Sequence, residues 1–425
     1  MERYKEYKDS GVQWIGKIPS HWDCVQFRGL FNITKRIAGK TGYDVLAVTQ
    51  KGIKVKDVDS NEGQIASDYS KYQLVDPGDF AMNHMDLLTG FIGISSQEGV
   101  TSPDYRVFKN VSPKANSKFY LFLFEMCYKL RIFYGLGHGV SNKGRWRLPA
   151  PVQNKFCIPL PPLAEQEKIV DYIESKTTTI DAYISEKEKE VQLLNELKES
   201  EIAKVVTRGL NPDVKMKESG ISWIGMIPEH WDLNRAKYMF NKNKRAKRPE
   251  DEVITCFRDG QVTLRKNRRL TGFTESEKYD GYQGIRKGDL VIHQMDAFAG
   301  SIGVSDSDGM GTSVYHCCTP KGDFNVYYYA YLIRQMAMSG FIQSLYKGIR
   351  ERSSDFSFPV FGNQYLAIPP REEQDAIVEY INKKCDKINS LVSELESEID
   401  YLKEYKQRLI ADCVTGQMNV QNETY

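Results

Sequence analysis

This chain of 425 residues has no apolar run approaching the ~18 residues of a membrane-spanning helix, so no such span is expected. Its opening, MERYKEYKDSG, is polar and charged, and no signal or transit segment is expected there. The eight cysteines include no C-x-x-C pair, and adjacent Cys317 and Cys318 cannot easily serve one metal. Packed, reduced thiols in a cytoplasmic protein are the expectation. A Walker-type phosphate loop is missing. GLGHG at 135–139 follows an aromatic run rather than a strand, so no nucleotide cofactor is assigned to it. Net charge is also small, at +2.

That small charge conceals a division. Residues 164–208 carry 7 basic and 11 acidic side chains, and residues 371–410 carry 7 and 10. The rest of the chain is therefore at +9. Acidic spacers between mildly basic modules fit this pattern.

What the chain has in place of catalytic motifs is a duplication. WIGKIPSHWD at 14–23 returns as WIGMIPEHWD at 223–232, with eight of ten letters the same. Gly78-Asp79 matches Gly288-Asp289, Met85-Asp86 matches Met295-Asp296, and Gly93 matches Gly303. PPLAEQEKIVDYI from Pro161 matches PPREEQDAIVEYI from Pro369. One order and nearly one offset make two copies of a unit of about 209 residues, too long a period for a solenoid.

Each copy divides in two. Residues 1–157 and 211–367 mix short apolar runs with Gly, Pro, Asp and Asn, as expected of short strands and tight turns. Aromatic stretches such as KFYLFLFEMCYKL suggest buried helices, and an α+β domain results. Residues 158–210 and 368–418 are each expected to form one long helix, leaving a tail at 419–425. In the second, Ile381, Ile388, Val392, Leu395, Ile399, Leu402 and Leu409 step by heptad-like intervals. The first offers Ile173, Ile180, Ile184, Val191 and Leu194, with Lys187 where Leu395 stands in its copy. A single apolar stripe needs a partner, and the chain order domain–helix–domain–helix favours an antiparallel pair that returns the C-terminus to the N-terminal domain. The expected fold is two pseudo-repeated α+β domains separated by two long helices in an antiparallel coiled coil.

Candidate chemistry is sparse. DYIESK at 171–176 has nuclease-like letters but lies on the helical seam, and NPDV at 211–214 lacks the second proline and aromatic of an amino-methyltransferase motif. His21 and His230 belong to the repeated phrase and read as part of a packed opening motif. His84 with Asp86, and His293 with Asp296, differ in spacing and have no further ligands, so no metal site is assigned. Asp86 and Asp296 read as turn or core hydrogen-bonding residues.

Basic clusters remain, and they recur. Arg28, Lys35, Arg36 and Lys40 lie early in the first copy. Lys242, Lys244, Arg245, Lys247 and Arg248, then Arg258, Arg265, Arg268 and Arg269, lie early in the second. Lys143, Arg145 and Arg147, and likewise Arg350 and Arg352, follow a matched glycine near the end of each domain. Such residues suit DNA, most of them positioning on phosphates and some reading base edges.

SGVQWIGKIPSHW and SGISWIGMIPEHW open the domains, and IPLPPLAEQEKIVDYI and IPPREEQDAIVEYI open the helices. In these residues, and over nearly its whole length, the chain resembles the specificity subunit of a type I restriction–modification system. The resemblance implies two target recognition domains, each reading half of a bipartite double-stranded DNA site, and helices that set the gap and dock two modification subunits. It implies S-adenosylmethionine, ATP and Mg only on partner subunits, motor-nuclease subunits among them, and no catalytic residue here. Two rival readings differ in kind: a fused methyltransferase or nuclease, active alone, and a coiled-coil adaptor without base preference.

Overall fold

The structure is a computed structural model and describes residues 2–50, 52–56, 69–139, 146–268, 279–345 and 355–422. The chain forms two compact units, one of Met1–Glu188 with Ser397–Tyr425, the other of Lys189–Glu396. The unit boundaries thus fall inside both long helices, not at the domain ends read from sequence. Burial explains why. Ile169, Val170 and Ile173 from the start of one helix, and Leu409, Ile410, Cys413 and Val414 from the end of the other, join the core of the first unit. Val205 and Val206, with Ile377, Val378 and Ile381, join the core of the second.

Each unit is built on a four-stranded antiparallel sheet. In the first, β1 (Phe31–Thr34), β2 (Phe80–Met82), β3 (Ile92–Ile94) and β4 (Arg106–Asn110) lie in the order β1-β4-β2-β3. In the second, β5 (Phe240–Asn243), β6 (Leu290–His293), β7 (Ile302–Val304) and β8 (Tyr315–Pro320) repeat it as β5-β8-β6-β7. The filling differs. Phe80 and Phe108 stack at 4.8 Å in the first sheet, where Leu290 stands opposite Cys318 in the second. Volume is met by different side chains on one frame, as close packing permits. All eight cysteines are free, and Cys127, Cys256, Cys317, Cys318 and Cys413 are buried.

Four helices complete the frame: α1 (Ser117–Lys129), α2 (Leu163–Arg208), α3 (Val326–Met338) and α4 (Arg371–Val414). Asn116 and Asn325 cap α1 and α3 by accepting backbone N–H groups in the first turn. Before the long helices come the strands Cys157–Leu160 and Tyr365–Ile368, paired antiparallel with Asp23–Gln26 and Asp232–Arg235. Residues 158–160 and 368, grouped with the spacers from sequence, are therefore sheet. Proline stops the strand, and the Pro162 and Pro370 carbonyls accept the first helical N–H groups.

The long helices run antiparallel within each unit. In the first, Lys406 reaches Asp181 at 2.6 Å and Lys403 reaches Glu188 at 3.3 Å. In the second, Lys198 donates to Asn389 at 3.0 Å and Tyr380 donates to Glu201 at 2.8 Å. Ile173, Ile180, Ile184, Ile381, Ile388 and Ile399 are buried, and Val191, Leu194, Val392, Leu395 and Leu402 are half-buried. Lys187, the odd residue of the seam, sends its ammonium 3.1 Å to Glu398 on the facing helix.

Both helices end on glycine in the left-handed region, Gly209 at φ +74° and Gly416 at φ +73°. A Cβ on Gly209 would lie 3.3 Å from Trp231, and one on Gly416 would lie 3.0 Å from Trp22. Each helix end is thus seated against a tryptophan of the repeated phrase, which is fully buried. In the first unit the chain then returns to its start, with the Asn419 N–H donating to the Glu2 carbonyl at 3.0 Å.

The E-Q pair opening each helix ties these parts together. The Gln166 side chain donates to the carbonyls of Lys114 and Pro161, at 2.9 and 2.8 Å, and accepts the Asn116 N–H at 2.8 Å. Gln374 donates to Pro369 and accepts from Asn325, both at 2.8 Å. Beside them, Glu165 accepts from His21 at 2.8 Å and from Tyr4, while Glu373 accepts from His230 at 2.9 Å and Trp231 at 3.0 Å. Replacing Gln166 by Ala strands buried partners, each costing about 1–3 kcal/mol. Urea denaturation of Gln166→Ala and Gln374→Ala is expected to show losses of about 2 kcal/mol or more per site. Substitution of neighbouring exposed Glu167 is expected to change little.

Candidate nucleic-acid interface

Of the basic residues that sequence placed early in each copy, Arg36 and Arg245 follow β1 and β5 at equivalent places beside the Gly-Asp turn. Structure separates them by what they touch. Arg36 is paired with Asp76 and buried Asp79, and Arg245 with buried Asp289. Both carbonyls accept from the neighbouring strand, Arg36 from Leu74 and Arg245 from Gly284. These two arginines, offered as DNA contacts from charge alone, are engaged in ion pairs that hold the turn. Their acidic partners were invisible as partners because they lie some 40 residues away in sequence. The recurrence of Gly-Asp in both copies was the available signal.

Others stay at the surface. Arg28, Lys35 and Lys244 are exposed and have no partner among the described residues. Lys40 lies over the Tyr43 ring, Lys242 over Phe358 and Lys247 over Tyr279, at 5.4, 5.7 and 5.9 Å. Arg248 pairs with Asp308 at 3.1 Å, and Arg147 is exposed where its strand bridges His138. Arg265 reaches Thr255 at 3.4 Å, Arg258 pairs with Asp296 at 3.1 Å, and Arg268 pairs with Asp259 at 2.6 Å. Lys143, Arg145, Arg269, Arg350 and Arg352 lie outside the described residues. Sequence reasoning missed Arg286, which pairs with buried Asp251 at 3.1 Å, and Arg106, which donates to the Leu148 carbonyl at 2.9 Å. Burial pushes the Arg106 guanidinium down to about 10.

The stretches 32–71 and 241–281 show no sequence match, yet they contain the same element. A hairpin of Leu46–Thr49 and Gly52–Val55 stands in the first unit, and one of Ile254–Cys256 and Val262–Leu264 in the second. Val45 bridges Val100 in one, and Val253 bridges Met310 in the other. The matched glycines make room for them. A Cβ on Gly93 would meet Ile53 at 2.9 Å, and one on Gly303 would collide with the Gly260 carbonyl. The hairpins differ in strand length, four paired residues per strand in the first against three in the second, where a five-residue loop, 257–261, joins the strands.

The aspartates of the M-D pairs have diverged in use. Asp86 caps its own turn, accepting from the Leu88 and Thr89 N–H groups at 3.0 Å and from the Thr89 hydroxyl. Burial works against its charge, but these bonds outweigh it and hold the carboxyl below its usual range. Asp296 instead holds Arg258. Neither histidine pairing builds a cluster, and among the described residues no group of three His, Cys, Asp or Glu is placed to hold a metal. No described helix is long and apolar enough to cross a membrane.

Each α+β unit packs against antiparallel stretches of the long helices, and the basic loops are furnished differently in the two. Residues 19–193 match the family model described as type I restriction modification DNA specificity domain, and the internal repeat carries the same pattern into the second copy. The chain is 21% identical to the putative type I restriction enzyme MjaX specificity subunit of Methanocaldococcus jannaschii, over 99% of both chains. It is 20% identical to the EcoBI specificity subunit of Escherichia coli, over 62% of this chain and 59% of that one. A solved structure from a study of complex assembly and conformational transition in a type I R-M system shares the fold. It has a TM-score of 0.67 at 16% identity, over 94% of this chain and 99% of that one. Over nearly its whole length the chain is thus similar to type I restriction–modification specificity subunits.

Two histidines, His316 buried and His84 half-buried, give the fold a pH dependence. Burial, with Arg106 and Arg147 nearby, pushes the His84 imidazole from 6.5 down to about 4. Burial and Lys242 do the same to His316, also to about 4. Both are neutral in the fold, whereas the unfolded chain takes up their protons near 6.5. Stability is therefore whole above about pH 6.5 and is lost progressively down to about pH 4. Urea denaturation between pH 4 and 7 is expected to show a shallower loss for His84→Gln and His316→Gln than for the unaltered chain.

Proposed function

We propose that each unit reads one half of an asymmetric, bipartite DNA site, and that the long helices set the number of unread base pairs between the halves. The observation that carries this reading is one scaffold furnished twice with different surface chemistry. The sheet order, the Gly-Asp turn and the glutamine ties are common to both units. The hairpin loops and the exposed basic residues are not. Two unlike readers on one frame suit two unlike half-sites.

The chain acts as a recognition subunit and leaves chemistry to its partners. Two modification subunits dock along the long helices, bring S-adenosylmethionine and methylate adenine. Motor-nuclease subunits supply ATP- and Mg-dependent cleavage. Exposed apolar side chains on α2 and α4 support docking there: Tyr183, Leu193, Leu197, Leu391, Tyr401 and Tyr405. The excess of basic residues outside the helices suits the phosphate backbone, and binding is accordingly salt-dependent.

Co-expression with the modification subunit, followed by mapping of methylated adenines across a genome, is expected to yield one bipartite motif. Exchange of residues 1–157 for another such domain is expected to alter one half alone. A motif that changes in both halves, or in neither, refutes the division of labour. Matched insertions of four residues in both helices lengthen each by ~6 Å, roughly two base pairs. The gap is expected to widen by that amount with both half-sites unchanged, and an unchanged gap refutes the role of the helices.

A further inference from the structure

The five-residue loop 257–261 of the second hairpin is built as a rigid mount. The Phe257 N–H donates to Gln261 O at 2.8 Å, and the Gly260 N–H donates back to Phe257 O at 3.0 Å. The Gln261 N–H donates to the Asp259 carboxylate at 3.0 Å. Gly260 has φ +90°, and a Cβ there would collide with the half-buried Arg334 guanidinium beneath it. A Cβ on Gly300 would lie 2.7 Å from the Arg258 carbonyl. The loop is thus pressed onto the Gly300–Gly303 stretch from one side and locked by its own bonds from the other.

Two arginines stand on this mount, each held by a carboxylate. Arg258 is 67% exposed, and one of its Nη atoms donates to Asp296 at 3.1 Å. Among the described residues no other hydrogen bond reaches it. Arg268 donates to Asp259 at 2.6 Å, with its guanidinium 4.4 Å from the Phe257 ring centroid. A guanidinium beside a carboxylate has little net charge left to attract a phosphate. What it keeps is direction, since a fixed planar fork presents paired N–H groups. That fork matches the O6 and N7 acceptors of guanine in the major groove, whereas a phosphate is served as well by a mobile lysine. Among the described residues the first unit has no counterpart of this pair, and its matching aspartate, Asp86, is spent on its own turn.

We propose that Arg258 is a base-reading residue of the second unit, contacting a guanine in that unit's half-site, with Asp296 as its positioning residue. This rests on the base-reading role proposed above. The wild-type complex with its modification subunit is mapped first, and the exchange of residues 1–157 identifies the half-site of the second unit. Arg258→Ala and Arg258→Lys are then mapped, and their complexes are titrated with the site and its single-base variants at several salt concentrations. Both variants are expected to lose discrimination at one guanine of that half by roughly tenfold or more, with the other half and the gap unchanged. Asp296→Asn is expected to loosen the same position to a smaller degree. Weakening that is uniform across sequences, with a salt slope shallower by about one, makes Arg258 a phosphate contact and overturns the proposal. An unchanged motif, or relaxation at a base other than guanine, also overturns it. Relaxation by Arg258→Ala with none by Asp296→Asn removes Asp296 from the positioning role. If the wild-type complex yields no motif, it is the base-reading role itself that fails, and that result precedes any variant.

Discussion

A glutamine at the start of each long helix, Gln166 and Gln374, is the joint on which the rest is hung. Its amide lies buried among backbone groups that have no other hydrogen-bond partner among the described residues: the carbonyl of the first proline before the helix and the N–H of the asparagine that caps α1 or α3. A side-chain amide can serve both roles at once, because it has donors and an acceptor in one plane. The glutamate before it receives the histidine of the repeated phrase. Three segments far apart in sequence are fixed by two neighbouring residues, and the direction of each long helix relative to its own globular part follows from that joint.

With the frame held this way, the exposed loops are free to differ. The two units spend matched residues unlike one another. Asp86 caps a turn, while Asp296 holds an arginine at the surface. Phe108 fills a core position that Cys318 fills in the other copy. Charged groups that recur in both units, Arg36 with Asp79 and Arg245 with Asp289, maintain the turn beside the sheet. Repetition marks scaffold here, and difference marks the exposed loops. Charge density alone does not distinguish them, which is why arginines of both kinds entered one sequence-based group.

The long helices were legible because their signals are local: a proline pair, an uninterrupted stretch without Gly or Pro, a heptad-like stripe and a closing glycine. The exception at Lys187 was legible too, though its answer on the facing helix, Glu398, was not. The hairpins at Leu46–Val55 and Ile254–Leu264 escaped alignment because their shared features are backbone pairing and clearance over Gly93 and Gly303, neither of which demands matching letters.

From letters alone came the duplication, the α+β character of the globular parts, the two helices and the family resemblance, all of which rest on periodicity or on residues adjacent in the chain. Tertiary structure alone decided which parts of the long helices belong to which core, which carboxylate meets which arginine, and what the repeated histidine and glutamate are for. Those outcomes depend on contacts across 40 to 400 residues of chain, such as Gln417 with Lys17, where spacing in sequence carries no information about distance in space.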